Sequence, residues 1–278
     1  MPAYICKTCG NQYPESDVAP DQCAICQDER QYVGWNGQQW TTLDDLRVGH
    51  RNEIRACEPD LFGIGTAPQV AIGQRALLIR SPAGNVLWDC TPLVDSSAVE
   101  AIQALGGINA IAISHPHFYS TMVEWAHAFD APIYLHAADR QHVTRPDPAS
   151  SYWDGETKSL GEGITLINAG GHFAGGTVLH WAGGAGGQGA LLSGDIVNVV
   201  RDRRYVSFMY SYPNLIPLPA QTIRRIVAAV RPFRFQRIYG GWWDSITPDG
   251  GEEAVRFSAE RYIQAIEGPA PCPAGSCA

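Results

Sequence analysis

A chain of 278 residues with 45% hydrophobic and only 17% charged side chains is too apolar for global disorder and long enough for one large domain or two unequal ones. Twenty basic residues against 28 acidic ones, a net charge of −8, argue against nucleic-acid binding through a general basic surface. No run of 18 apolar residues occurs, so no membrane span is expected. The start MPAYICKTCG lacks the basic-then-apolar pattern of a secretory signal, so the expected compartment is the cytoplasm.

Residues 1–45 read as a small module with few aliphatics, and a segment so short needs a staple to fold. Residues 46–60 are polar without a clear period and read as a linker. The pattern then changes. Strands are predicted over 69–79 and 85–88 around a turn at Ser81–Gly84, then a helix over 97–105 stopped by Gly106 and Gly107. A buried-type strand over 108–114 runs into HPHFYS, followed by a helix over 121–129 and a strand over 132–135. Strands over 164–168 and 177–181 flank GGHFAGG. A glycine-rich turn at 183–189 precedes a strand over 190–192 that ends in Ser193–Gly194–Asp195. The last elements are a helix over 221–230, a strand over 237–239 and a helix over 252–266, with a flexible tail over 267–278. Alternating strands and helices in two similar halves predict a layered α/β fold for 61–266.

Cys6, Cys9, Cys23 and Cys26 form two CxxC pairs. Each tight turn aims two thiolates at one ion, and two turns complete the closed tetrahedron of a structural zinc site, whose binding energy becomes folding energy. Gly10 after the first pair suits a left-handed backbone there. Through CKTCG and Tyr13 the module resembles rubredoxin-like zinc ribbons. It departs in having only 13 residues between the pairs and in Gln27, where the second knuckle of such ribbons carries glycine. Both departures favour structural zinc over a redox iron.

His115 and His117, at i and i+2 past a strand end, can reach one ion if the backbone turns there. His172 lies in a glycine-flanked loop and Asp195 ends a strand. Three imidazoles and a carboxylate suit a first-row metal with one position open. These pieces, in this order, resemble the metallo-β-lactamase fold, an αββα sandwich of hydrolases and some oxygenases. The family motif is HxHxDH. Here Tyr119 takes the aspartate place and Ser120 that of the third histidine, and Tyr239–Gly240–Gly241–Trp242–Trp243 stands where a late histidine is expected. In the family those ligands mostly build a second metal position, so the resemblance implies one catalytic metal, zinc or iron, held by His115, His117 and His172 with Asp195 nearby.

Asp195 is then expected to ligate the metal or orient the nucleophilic water, and the Tyr119 hydroxyl to serve an oxyanion or leaving group. Phe118, Ser120, Tyr210, Tyr212, Trp242 and Trp243 are expected to wall the substrate. Arg201, Arg203 and Arg204 read as a solvated loop or an anion-steering patch. His50, His127, His136, His142 and His180 read as structural, His136 at the pocket edge. Cys90 follows a strand that approaches the site, while Cys57 and the tail pair Cys272 and Cys277 add little. The leading functional reading is a mononuclear hydrolase of a small ester, thioester, lactone or amide. The others are a non-catalytic binding or regulatory protein and, because His115, His172 and Asp195 make a two-histidine, one-carboxylate set, a non-haem iron oxygenase. The expected partners are a small-molecule substrate, a second copy of the chain, or a protein docked on the ribbon.

Overall fold

Neighbouring residues of a strand face opposite sides of a sheet. Leu77 and Ile79 enter one apolar cluster while Leu78 between them enters another. Leu192 joins the cluster of Leu77, and its neighbour Leu191 joins a third. The shared cluster lies between two sheets and the others lie outside them. Both sheets are therefore buried on both faces, which is why their central strands read as unbroken apolar runs. The computed structural model describes residues 1–161 and 163–268.

The module is an antiparallel sheet of β1 (Ala3–Cys6), β2 (Gln12–Glu15) and β3 (Trp40–Thr41), in order β2-β1-β3, with one short helix, α1 (Ala24–Gln27). Helix α2 (Leu43–Gly49) follows, started by a capping box between Thr42 and Asp45. The first large sheet contains β4 (Arg51–Glu58), β5 (Leu61–Ala67), β6 (Arg75–Ile79), β7 (Val86–Trp88), β8 (Ala110–Ala112), β9 (Ile133–His136) and β10 (Ser150–Trp153), in spatial order β10-β9-β8-β7-β6-β5-β4. The second contains β11 (Thr157–Gly161), β12 (Ile164–Asn168), β13 (Thr177–Trp181), β14 (Ala190–Gly194), β15 (Arg237–Gly240) and β16 (Ile246–Thr247), in that spatial order. Helices α3 (Ser96–Ala104) and α4 (Met122–Phe129) pack on the outer face of the first sheet. Helices α5 (Ala220–Val230) and α6 (Gly251–Glu267) pack on that of the second. The architecture is the expected αββα sandwich preceded by the four-cysteine module. Among the described residues no helix is long and apolar enough to cross a membrane.

Residues 46–60 are not a linker. They are the end of α2 and the edge strand β4, which pairs with β5 from Arg51 to Glu58. An edge strand has one neighbour and leaves Arg51, Arg55 and Ala56 in solvent, so its sequence carries no buried-strand signature. The segment expected to start a strand at Gln69 is irregular until Arg75, and the strand before it is β5, whose glycines at 63 and 65 disguise it. Expected and observed bounds coincide for β12 and β13. Helix α6 ends at Glu267, and the tail with Cys272 and Cys277 lies outside the described residues beyond Gly268.

Strands β7, β8, β9 and β10 run parallel to one another, and β14 runs parallel to β15. Residues just past the carboxyl ends of parallel strands line the crevice where such sheets bind ligands. Asp89 follows β7, Ser114 and His115 follow β8, Asp195 follows β14 and Trp242 follows β15. Because the inter-sheet layer holds these ends together, Leu192→Ala should cost about 2–5 kcal/mol by leaving a cavity there. A fall in the urea midpoint with an unchanged slope is the expected observation.

Candidate functional site

His115 leaves β8 with an extended backbone, and Pro116–Phe118 forms a single 3-10 turn that brings His117 back towards it. The loop Ala169–Gly176 between β12 and β13 closes on itself through bonds from the amides of Ala169 and Gly170 to the carbonyl of Gly176, and this presents His172. The Thr177 amide donates to the Ser114 carbonyl at 2.8 Å and stitches that loop to β8. Gly194, with φ of +51°, turns Asp195 inward. A Cβ at Gly194 would lie 2.6 Å from Ser114 Oγ, so only glycine fits.

One donor atom from each of His115, His117, His172 and Asp195 lies within 4.8 Å of the other three, and all four residues are buried. His172 Nε2 is 3.1 Å from His117 Nδ1, and His115 Nε2 is 3.6 Å from Asp195 Oδ2. A tetrahedral ion with bonds of about 2.0–2.1 Å sets its ligand atoms about 3.3 Å apart. Among the described residues His115 Nε2, His117 Nε2 and Asp195 Oδ1 have no hydrogen-bond partner. Buried lone pairs without partners are costly, and a cation is what this donor set fits.

Ring orientation is fixed from behind. His172 Nδ1 faces the Met209 carbonyl at 3.2 Å; a carbonyl only accepts, so Nδ1 carries the proton and Nε2 the lone pair. Ser114 Oγ donates to Asp89 Oδ1 at 2.8 Å and lies 2.9 Å from His115 Nδ1, which leaves His115 Nε2 free for the cluster. Burial raises the Asp89 carboxyl to about 8, and its Oδ1 can accept from Ser114 in either protonation state. Burial, with Arg30 nearby, lowers His115 to about 3. Burial, with His115 nearby, lowers His172 to about 4, and burial, with His172 nearby, holds His117 well below the ordinary imidazole value. All three are neutral near pH 7, as metal ligands must be. Burial, opposed by His172, raises Asp195 to about 6.

In the module, Cys6 and Cys26 Sγ are 3.6 Å apart, as are Cys9 and Cys23 Sγ, with all four residues buried. Metal–sulfur bonds of about 2.3 Å in a tetrahedron set sulfurs about 3.8 Å apart, so this cluster fits an ion as well. Gln38, Asn11 and Tyr13 donate to the sulfurs of Cys6, Cys9 and Cys23. The module does not stand apart. Asn11 donates both to Cys9 Sγ and, at 3.1 Å, to the Pro116 carbonyl inside the histidine turn. Arg30 Nη1 donates to the His172 carbonyl at 3.3 Å.

A cavity of about 380 Å³ opens above the histidines. His117, His172 and Asp195 line it, with Tyr212 and Trp242 from the domain. The other expected wall residues are elsewhere. Phe118 is fully buried against His115 and Trp242. Ser120 is buried under the module, its Oγ 3.5 Å from the Gly10 carbonyl. Tyr210 bonds Glu29 of the module. Trp243 lies along β5 with Arg55 over its ring. Tyr119, expected to face a reacting oxygen, is buried in the outer core. Its hydroxyl is 3.5 Å from the Asp139 carbonyl, and burial drives its pKa well up. The turn that brings His117 inward sends Tyr119 outward.

Arg201, Arg203 and Arg204 are exposed around a separate surface hollow with Tyr205 and Phe257, so they do not steer ligands into this cavity. Cys90 is fully buried and its thiol is pushed well up by that burial. His127 and His180 bond Asp147 and the Arg234 carbonyl; His136 bonds Asn168 and the Gly155 carbonyl. Sequence reasoning missed Asp89, Arg30, Gln31, Tyr32, Gln69 and Ile72. Only Asp89 had a signal, a carboxylate closing an apolar strand in LWDC.

No protein-family model matches the chain. It is 50% identical over 268 residues to the uncharacterized protein YmaE of Bacillus subtilis (strain 168), covering 96% of this chain and 97% of that one. Among solved structures it is similar to VMB-1, with a TM-score of 0.58 and 11% identity over 78% of this chain and 98% of that one. It is similar to the DIM-1 metallo-β-lactamase with a TM-score of 0.58 and 14% identity, over 77% and 98%. A Cronobacter sakazakii metallo-β-lactamase with a HARLDQ motif matches with a TM-score of 0.50 and 17% identity, over 77% and 92%. These likenesses show the metallo-β-lactamase fold.

Elemental analysis of protein purified without added metal should give about two ions per chain, falling to about one in His115→Ala/His172→Ala; one ion in both proteins would leave the histidine cluster without metal. Ser114→Ala, which frees the His115 ring, should weaken metal retention at that cluster about 10–100-fold in a chelator competition.

Proposed function

We propose a function for a chain that belongs to the same family as Bacillus subtilis YmaE and has the metallo-β-lactamase fold: hydrolysis of a small ester, thioester, lactone or amide at a single metal ion. The observation that carries the reading is the buried cluster of His115, His117, His172 and Asp195, whose donor atoms lie within 4.8 Å of one another and three of whose members line a cavity. His115, His117, His172 and Asp195 would hold a divalent ion, which when bound would supply Lewis-acid polarisation of a carbonyl and a lowered pKa of water.

The chain's own groups support that chemistry in three ways. His115, His117 and His172 supply neutral nitrogens whose orientation is set by Ser114 and the Met209 carbonyl. Asp195, raised to about 6 by burial, has Oδ2 in the donor cluster and Oδ1 without a partner. We assign to Oδ1 the orientation of the attacking water and uptake of its proton. The Tyr212 hydroxyl donates to the Asp195 carbonyl at 2.9 Å and holds that residue in place. We assign the four-cysteine cluster a structural zinc, since its sulfurs are enclosed and no position is left open. The six cysteines among the described residues form no disulfide with one another, which suits a reducing cytoplasm.

The test is turnover of 4-nitrophenyl acetate, acetyl thioesters and simple lactones by zinc-loaded protein. Chelation should abolish turnover, zinc should restore it, and His172→Ala should lower kcat/KM at least 100-fold. Full turnover in His172→Ala would sink the reading. Iron at the site with substrate-dependent oxygen uptake would replace it with the oxygenase reading that the His115, His172 and Asp195 set also allows.

A further inference from the structure

The loop that follows the second CxxC pair closes one side of the cavity, and it is held there firmly. Asp28 grips Arg30 through two bonds of 2.6 Å, and the Arg30 guanidinium lies 3.8 Å over the Phe173 ring while reaching the His172 carbonyl. From the domain, Ser211 Oγ donates to the Arg30 carbonyl at 3.1 Å. Asn214 donates to the carbonyls of Glu29 and Gln31 at 3.0 and 3.1 Å. This clamp brings Gln31 and Tyr32 to the cavity wall beside His117, His172 and Asp195. Tyr32 is 44% exposed overall and lines the cavity, so a ligand there can pack on it.

The wall also has a charge character. Beyond the metal-site residues it consists of Tyr32, Tyr212, Trp242, Ile72 and the amides of Gln31 and Gln69, with Ala71 and Pro213 filling in. Among the described residues no lysine or arginine lines it. Arg30 is spent on Asp28, and Asp195 is the one acidic side chain. A substrate carrying its own carboxylate would meet Asp195 without a cation from the chain to receive it.

We propose that the four-cysteine module supplies one wall of the substrate-binding site: Tyr32 packs on an uncharged, apolar and preferably planar acyl group and sets acyl specificity, a proposal that rests on the hydrolase reading above. The ring contacts the acyl group and not the reacting carbonyl, so its contribution is the same in ground and transition states and shows in KM.

The test uses zinc-loaded full-length protein and 4-nitrophenyl esters that share one leaving group: the phenylacetate, the acetate and the anionic hemiglutarate. Expected are a kcat/KM for phenylacetate at least tenfold above that for hemiglutarate, and a KM for phenylacetate raised about tenfold in Tyr32→Ala with kcat within about threefold. Metal content should stay at wild-type level in that variant. Trp35→Ala, in the same module but fully exposed and off the wall, should leave KM unchanged. An unchanged KM in Tyr32→Ala, or preference for the hemiglutarate, overturns the inference. If wild-type protein turns over none of the esters, the hydrolase reading falls, and the wall is tested through binding of phenylacetamide by tryptophan fluorescence. A Kd raised about tenfold in Tyr32→Ala then supports it, and no binding or an equal Kd overturns it.

Discussion

Three imidazoles and a carboxylate, crowded within 4.8 Å of one another and shut away from water, make the constraint around which this molecule is arranged. Three of them, His115, His117 and Asp195, carry a buried polar atom without a hydrogen-bond partner among the described residues. Such a set is expensive to bury unless a cation draws the four donors together. Their positions come from both sheets: His115 and His117 from the end of β8, His172 from the β12–β13 loop, and Asp195 from the end of β14. The apolar layer between the sheets is therefore what sets the distances among the donors, and bonds such as Thr177 to Ser114 lock the two halves in register.

The module is built into that arrangement at two points. Asn11 joins a cysteine sulfur to the histidine turn, and Arg30 joins the second knuckle's loop to the backbone of His172. A small segment with a meagre apolar core thus gains its order from the cysteine cluster on one side and from the domain on the other. Gly10, at φ of +82°, lets this contact be close: a Cβ there would lie 3.0 Å from Pro92 and 3.2 Å from Ala71.

The departures from HxHxDH now have a physical meaning. Ser120 holds the place of a ligand in the family pattern, but here its backbone carbonyl receives the Gln12 amide and its hydroxyl reaches Gly10. Tyr119 fills the outer core beside Asp139. Both positions serve packing, one of them against the module itself, and neither offers a donor to a second ion. The module occupies the side of the fold that the changed motif faces.

Some of this was legible in the residues alone. Two CxxC pairs, HPH after an apolar strand, a histidine among glycines and LLSGD each carry their chemistry in local spacing. Strands buried on both faces announce themselves as apolar runs. The edge strand β4 did not, because half of it faces solvent, and the same polarity made it read as a linker. Motif position also gave no guide to side-chain direction. Tyr119 and Trp243 stand next to site residues yet point away, since one 3-10 turn and one strand end decide which neighbour faces inward. The sequence by itself determined the two donor sets and the layered fold, because ligand type and apolar period are properties of short segments. That Tyr32 and Gln31 reach a cavity walled by residues up to about 210 positions later was decided by tertiary structure alone. Side chains on separate elements meet only where packing places their backbones, and no local pattern records that meeting.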